Sequence, residues 1–346
     1  YRGEKPGIQG GAILGLSVLV DRGGDDKYEA NDIAQGSCLG GFGLLIDAAG
    51  DDSYMARSRS QGQAICGPGL LIDRDGDDDY RAALLSQGVG GPLGVGLLED
   101  TGGADHYYAG GLYSDSYGDT PGYGSWSQGV GVGPRGVANG GIGVLLDGGG
   151  DDLYEYDYFA HGGAYWFALG FARDFGGNDR RIGATRTTYD GGPRTEKKFV
   201  RWGVGYGCHY GLGFIFEDSG NDTYHVNHAG CCYAWDIGVG AICDFSGDDL
   251  YKSTGSGVSQ AHNAALSMLL DGGGNDTYSG RGVAKAGAKV DYHPIERAGG
   301  NFSILLDLSG QDTYPDGLRN NAERERGWAG GIFLDRQNAV PERAGY

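Results

Sequence analysis

A segment of the form Leu-Leu-x-Asp-x-x-Gly-Asp-Asp-x-Tyr returns at nearly constant spacing along all 346 residues of this chain. Its first Asp falls at Asp21, Asp47, Asp73, Asp100, Asp147, Asp174, Asp218, Asp244, Asp271, Asp307 and Asp335. Most intervals are 26 to 28 residues, and three longer ones, of 47, 44 and 36, mark coils with insertions. One unit of this size cannot bury an apolar side by itself, whereas stacked units share a continuous core. The period therefore predicts one domain over residues 1–346, not the two that length alone suggests.

Within each unit the signals are those of strands. Apolar runs of four or five residues, such as Gly43-Leu-Leu-Ile-Asp47, are bounded by Gly and Asp, and no stretch carries a helical period. Seven residues after the Tyr comes a Gln-Gly pair, at Gln35-Gly36, Gln61-Gly62 and Gln87-Gly88, with Gln9-Gly10 before them and Gln128-Gly129 after an insertion. The expected fold is all-β: a β-solenoid of about ten coils of 26–27 residues. At the usual spacing of ~4.8 Å between stacked strands the rod would be about 50 Å long. A four-stranded propeller blade needs more residues than one unit supplies. The chain has 72 Gly, which are expected to form the corners where φ is positive. The Gln side chains are expected to hydrogen-bond along the stack.

A net charge of −19 excludes a nucleic-acid partner and favours cations. No run approaches the length of apolar sequence that spans a membrane. None of the six Cys forms a Cys-x-x-Cys pair. Cys38 with Cys66, and Cys208 with Cys231 or Cys232, are candidate bridges between coils; the alternative is buried thiols packing as small apolar groups. No nucleophile-elbow, metalloprotease or phosphate-loop motif is present. The paired carboxylates belong to the repeat and so cannot single out a catalytic pair. The sequence thus favours a non-enzyme.

The acidic turn carries the chemistry. The position two before the Tyr is Asp in every coil: Asp26, Asp52, Asp78, Asp105, Asp152, Asp179, Asp222, Asp249, Asp276 and Asp312. The position before that varies, with Ala104, Asn178, Asn221, Asn275 and Gln311 among its occupants, and reads as a turn residue. The constant Asp and the first Asp of each turn, from Asp21 through Asp307, are therefore the ligand candidates. Two coils depart: Arg181 stands in a Tyr place, and the turn Asp218-Ser-Gly-Asn-Asp222 reads as one residue short. Carboxylates stacked about 5 Å apart repel by roughly 3 kcal/mol at an effective dielectric of 20. A hard cation with oxygen ligands relieves this, and Ca²⁺ is the expected one. The competing expectation is that each Asp caps its own turn and faces water.

Gly272-Gly-Gly-Asn-Asp-Thr-Tyr278, Gly220-Asn-Asp-Thr-Tyr224 and Gly247-Asp-Asp-Leu-Tyr251 resemble the Gly-Gly-x-Gly-x-Asp-x-apolar nonapeptide of the RTX β-roll proteins. The resemblance implies Ca²⁺ held between adjacent coils, secretion, and folding after export. It covers only the turn. The RTX coil is shorter and has two such turns, whereas this one has a single turn and a long Tyr-to-Gln arm. The whole pattern is also similar to long Gly-rich repeat proteins of bacteria, to which no function is attached.

The insertions, at 108–127, 181–205 and 281–300, all fall between a Tyr and the next acidic turn and should emerge on one side. They are basic and aromatic; the candidate ligand-binding residues are Trp126, Arg186, Arg194, Lys197, Lys198 and Arg201. Such loops would hold an anionic polysaccharide or dock on the acidic ladder of another subunit. The expectation is a secreted or cell-surface, calcium-binding structural or adhesive protein that self-associates end to end or laterally, as a filament or surface-layer subunit. The alternative is a polysaccharide-binding or polysaccharide-degrading β-helix. A degrading enzyme would show a groove beside 108–127 and 181–205 with a lone acid or base outside the repeat.

Overall fold

A computed structural model describes residues 1–115, 122–194, 201–287, 300–326 and 330–337. Among them there is no helix, and the strands stack into a β-solenoid of about eleven turns. Each coil sends its apolar run into a first parallel sheet, turns at the acidic segment, and sends the residues around its Tyr into a second. Short strands in the middle of the chain make a third. Every rung is one repeat: Leu19 pairs with Leu45, Leu45 with Leu71, and Leu71 with Leu98.

That register lines identical side chains into columns. One wall of the core is Leu45, Leu71, Leu98, Leu145, Ile215, Ile242, Leu269 and Leu305, interrupted by the small Ala172. The facing wall is Tyr28, Tyr54, Tyr80, Tyr107 and Tyr154, then Tyr224, Tyr251 and Tyr278, all buried. Successive rings lie parallel with centroids 4.7 to 5.0 Å apart. This is the strand spacing itself, so backbone pairing and ring stacking reinforce each other.

The corners are made by Gln together with Gly, not by Gly alone. Gln61 has φ 55° and Gly62 φ 74°. A Cβ at Gly62 would lie 1.8 Å from the Leu97 carbonyl oxygen, so the second corner position must be Gly. The Gln side chains do not bond to one another. Gln61 Nε2 donates to the carbonyls of Tyr54 at 2.9 Å and Arg81 at 3.2 Å, tying its own coil to the next, and these bonds offset its strained φ.

Two insertions are shorter than their sequence limits. Trp126 lies in the strand Gly124–Ser127, which pairs with Tyr158–Ala160, and Arg181 lies in Arg180–Gly183 within the second sheet. What remains of these two insertions packs together. Tyr108 Oη donates to the Thr187 carbonyl at 2.9 Å, and Gly111 N–H to Asp157 Oδ2 at 3.0 Å. Lys197, Lys198 and residues 288–299 lie outside the described residues. The strand Glu323–Arg326 runs antiparallel along Gly331–Asp335 and covers its edge. All six cysteines are free thiols.

Candidate cation ladder in the solenoid interior

The acidic turn presents three columns of side chains, each with its own hydrogen-bonding sense. In the first column one carboxylate oxygen caps the turn of its own coil, as Asp147 Oδ1 does for the Gly149 N–H at 3.0 Å. The other receives tyrosine. Tyr80 Oη donates to Asp100 Oδ2 at 2.7 Å, while Tyr154 Oη lies 3.0 Å from Asp147 and 2.9 Å from Asp174. A phenol has one proton, so where two carboxylates share it one is left short of a donor.

In the second column, Oδ1 accepts the backbone N–H of the same position one coil earlier: Asp78 N–H to Asp105 at 2.7 Å, Asp222 N–H to Asp249 at 2.7 Å. In the third, the sense reverses. Asp51 Oδ1 accepts from Asp77 N–H at 3.1 Å and Asp248 Oδ1 from Asn275 N–H at 2.7 Å. The third column is exposed, and an amide oxygen serves there as well as a carboxylate, which accounts for its Asn residues. The backbone bond of the second column would also be satisfied by Asn. That only Asp occurs there points to the other oxygen.

At seven of these ten positions that oxygen has no hydrogen-bond partner. Oδ2 of Asp78, Asp105, Asp152, Asp222, Asp249, Asp276 and Asp312 is buried and unsatisfied. Each of these carboxylates is packed among first-column neighbours: Asp78, Asp100 and Asp105 offer oxygens within 4.8 Å of one another, as do Asp105, Asp147 and Asp152. Asp47, Asp73 and Asp105 are all essentially inaccessible, so the expectation that these two columns face water is wrong. Burial first, and then the neighbouring charges, push Asp78 and Asp152 of the second column up to about 9 and Asp105 to about 11, far above the ordinary carboxylate range. In the first column Asp100 and Asp271 are raised to about 7, whereas Asp21, which accepts from the Tyr1 hydroxyl, is lowered. The donor set is all oxygen, hard and anionic, and fits Ca²⁺; one divalent ion per coil would neutralise one pair.

At one level the chain supplies the cation itself. Arg181 replaces tyrosine, and its side chain is 1% exposed. The guanidinium touches Glu217 and lies 3.2 Å from Asp174, 3.5 Å from Asp179 and 3.5 Å from Asp222. Its Nε donates to His161 Nε2 at 3.2 Å. Burial, with Arg181 adding to it, holds the His161 imidazole well below its usual pKa, so it is neutral and able to accept. Ala172 supplies the room that leucine would fill. This corrects the ladder assignment of Asp218. Glu217 pairs in register with Asp174 and Asp244, whereas Asp218 sits outside and takes a bidentate contact from Arg173 at 2.8 Å. Glu217 and Arg181 are functional residues that motif reading missed. The signal was present in the column positions: Gln to His161, Leu to Ala172, Tyr to Arg181 and Asp to Glu217 all change together.

The insertion residues named from sequence are not brought to one place. Trp126 stacks on Phe159 with centroids 3.9 Å apart. Arg194 is fully buried on Asp157 at 2.8 Å and pins the first two insertions together. Arg186 is half-exposed, 3.7 Å from Glu155. Arg201 lines a pocket of about 360 Å³, beside Arg135, Trp202, His228, Tyr233 and Trp235, while Trp126 lines a separate one with Leu84, Leu85 and Tyr113. The non-repeated His209 also lines the Arg201 pocket, with Asp236 on its Nδ1. His209 Nε2, the atom a general base would use, faces Arg135 Nη1 at 3.2 Å. Comparison with family models, curated proteins and solved structures finds no match to this chain.

Proposed function

We propose that this chain is a calcium-binding structural repeat protein of the cell exterior, in which bound Ca²⁺ neutralises the interior carboxylate pairs and makes the rod rigid. The observation that carries the reading is the run of unsatisfied, buried Oδ2 atoms, at seven of the ten second-column positions, among other carboxylates. Left bare, such groups oppose folding at neutral pH. The likeness of the turns to RTX repeats and the net charge of −19 support the same reading. Metal analysis of the dialysed protein, with thermal unfolding in Ca²⁺ and in chelator, tests it. Several bound Ca²⁺ per chain and a large drop in melting temperature on chelation are expected. No bound metal and an unchanged melting temperature would sink it. Fractionation of the source cells tests the location.

A second reading, binding of an acidic polysaccharide, is favoured by the pocket around Arg201. Two guanidinium groups and a lining that includes Trp202, Tyr233 and Trp235 suit a carboxylated sugar. A glycan array that includes uronate oligomers tests it, with Trp202→Ala as the variant expected to lose binding.

A further inference from the structure

The outward side of the first sheet is apolar over the whole stack. Three residues per strand point away from the core there. The middle column begins Val18, Leu44, Leu70, Leu97, Val144, Phe171 and ends at Ile332. The column on its Gly side, from Leu16 to Phe302, is also apolar throughout. The column beside the acidic turn is apolar except at Glu99 and Arg173. Ala241 and Cys243 in these columns are buried, but elsewhere large side chains are open among the described residues: Val18 is 50% exposed, Val95 42%, Ile142 41% and Phe302 49%. The outward positions of the second sheet are different in kind, with Lys27, Glu29, Asp79, Arg81 and Lys252 among them. Parallel strands that read as unbroken apolar runs, such as Gly-Leu-Leu-Ile, are characteristic of sheets covered on both faces.

We propose that this face is covered by the same face of a second copy, in a two-sheet, face-to-face dimer. At ~4.8 Å per rung and ~3.4 Å per residue the face measures about 50 by 17 Å, or on the order of 850 Å². That is close to the ~800 Å² per partner of a stable interface. Columns of like residues on a regular spacing are self-complementary, as an isologous contact requires. The two charges, Glu99 at 3.4 Å from Arg74 and Arg173 held by Asp218 within the chain, fit the same arrangement. Glu99 and Arg173 stand in one column, one rung to either side of Leu146. Antiparallel packing about the Leu146 rung sets Glu99 of each copy opposite Arg173 of the other. A chain with net charge −19 and an exposed acidic turn along one edge of this face is repelled by anionic headgroups, which favours a second copy over a lipid surface.

The test is the mass in solution of the full chain, by sedimentation or light scattering, with and without Ca²⁺. The wild type is a dimer in both conditions. Val144→Glu is a folded monomer with unchanged far-ultraviolet dichroism, because its side chain points away from the core, and its melting temperature falls only by the loss of association; Val144→Ile remains a dimer. Glu99→Arg weakens the dimer by about tenfold or more through like-charge contact. A monomeric wild type, or a Val144→Glu variant that still dimerises, overturns the proposal. So does a monomer that floats with phosphatidylcholine vesicles, which would assign the face to lipid. An unchanged affinity in Glu99→Arg overturns the antiparallel arrangement.

Discussion

The Arg181 guanidinium rests against the Glu217 carboxylate in the interior column that tyrosine rings otherwise occupy. Three further carboxylates lie within 3.5 Å of it, so one coil carries its own counter-ion to the acidic ladder. Replacing it by an isosteric apolar residue, Arg181→Met, leaves those groups buried and uncompensated. The expected cost is about 3–5 kcal/mol in chemical denaturation, the range for breaking a buried ion pair from one side. The variant Arg181→Tyr with Ala172→Leu, His161→Gln and Glu217→Asp restores an ordinary coil. It should regain much of that stability, but only in the presence of Ca²⁺. Recovery to the same extent in chelator would show that Arg181 does not stand in for an ion.

The period, the strands and the stacking were all legible in the residues, because each is a property of one repeat copied along the chain. The two constant Asp columns were legible for the same reason. Their burial was not: sequence spacing says that Asp78 and Asp105 are equivalent, but not that the acidic turn folds inward beneath the tyrosine rings. The shift from Asp218 to Glu217 was hidden by counting from the nearest Asp, when the strand register counts from the apolar run. Arg181 was assigned both to a Tyr position and to a basic loop, and only the pairing of Arg180–Gly183 with its neighbours decides between them. The apolar outward face was visible in every Leu-Leu-Ile run, but a two-sided run is ambiguous until one side is known to be the core.

Stability should depend on pH in a direction opposite to ordinary acid unfolding. Second-column carboxyl groups such as Asp52 and Asp249, raised to about 8, and Asp276, raised to about 9, have folded pKa values above the unfolded value, with burial the main cause. The folded state therefore holds more protons than the unfolded state, and the stability these groups contribute is full below about pH 4 and is lost as pH rises through about 8–9. In chelator the melting temperature should fall steadily from pH 5 to pH 9. With Ca²⁺ present it should hold level over that range, and the two curves should converge at the acid end. Scanning calorimetry across pH in both conditions measures this, and parallel curves would count against ion binding at these carboxylates.

The tyrosine column stabilises partly through its hydroxyls. Tyr80 Oη donates to the buried Asp100 at 2.7 Å. Tyr80→Phe keeps the ring stack and removes that donor, at an expected cost of about 1–3 kcal/mol from a buried acceptor left short. The loss should be larger at pH 8 than at pH 5, where Asp100 is protonated and needs the donor less. Denaturant midpoints at the two pH values measure it; equal losses would mean that the carboxyl does not change state.

Asp77 and Asp78 are adjacent, yet the same substitution should do different things to them. Asp77 is exposed, and its Oδ1 accepts the Ala104 N–H at 2.8 Å, a bond that an amide oxygen makes equally well. Asp77→Asn should therefore change stability by less than about 0.5 kcal/mol in any buffer. Asp78 is buried with its Oδ2 unsatisfied among Asp100 and Asp105. In chelator at neutral pH, folding must protonate Asp78, whose pKa burial raises to about 9; Asp78→Asn removes that cost and puts an N–H donor among the neighbouring carboxyl groups, so the variant should be more stable than the wild type. In Ca²⁺ it removes a ligand and should be less stable, with about one ion fewer bound per chain. The sign change between the two buffers is the discriminating result, read by calorimetry and metal content on the same samples. A loss of stability in both buffers would mean that the Asp78 carboxylate is wanted for its own hydrogen bonds and not for a cation.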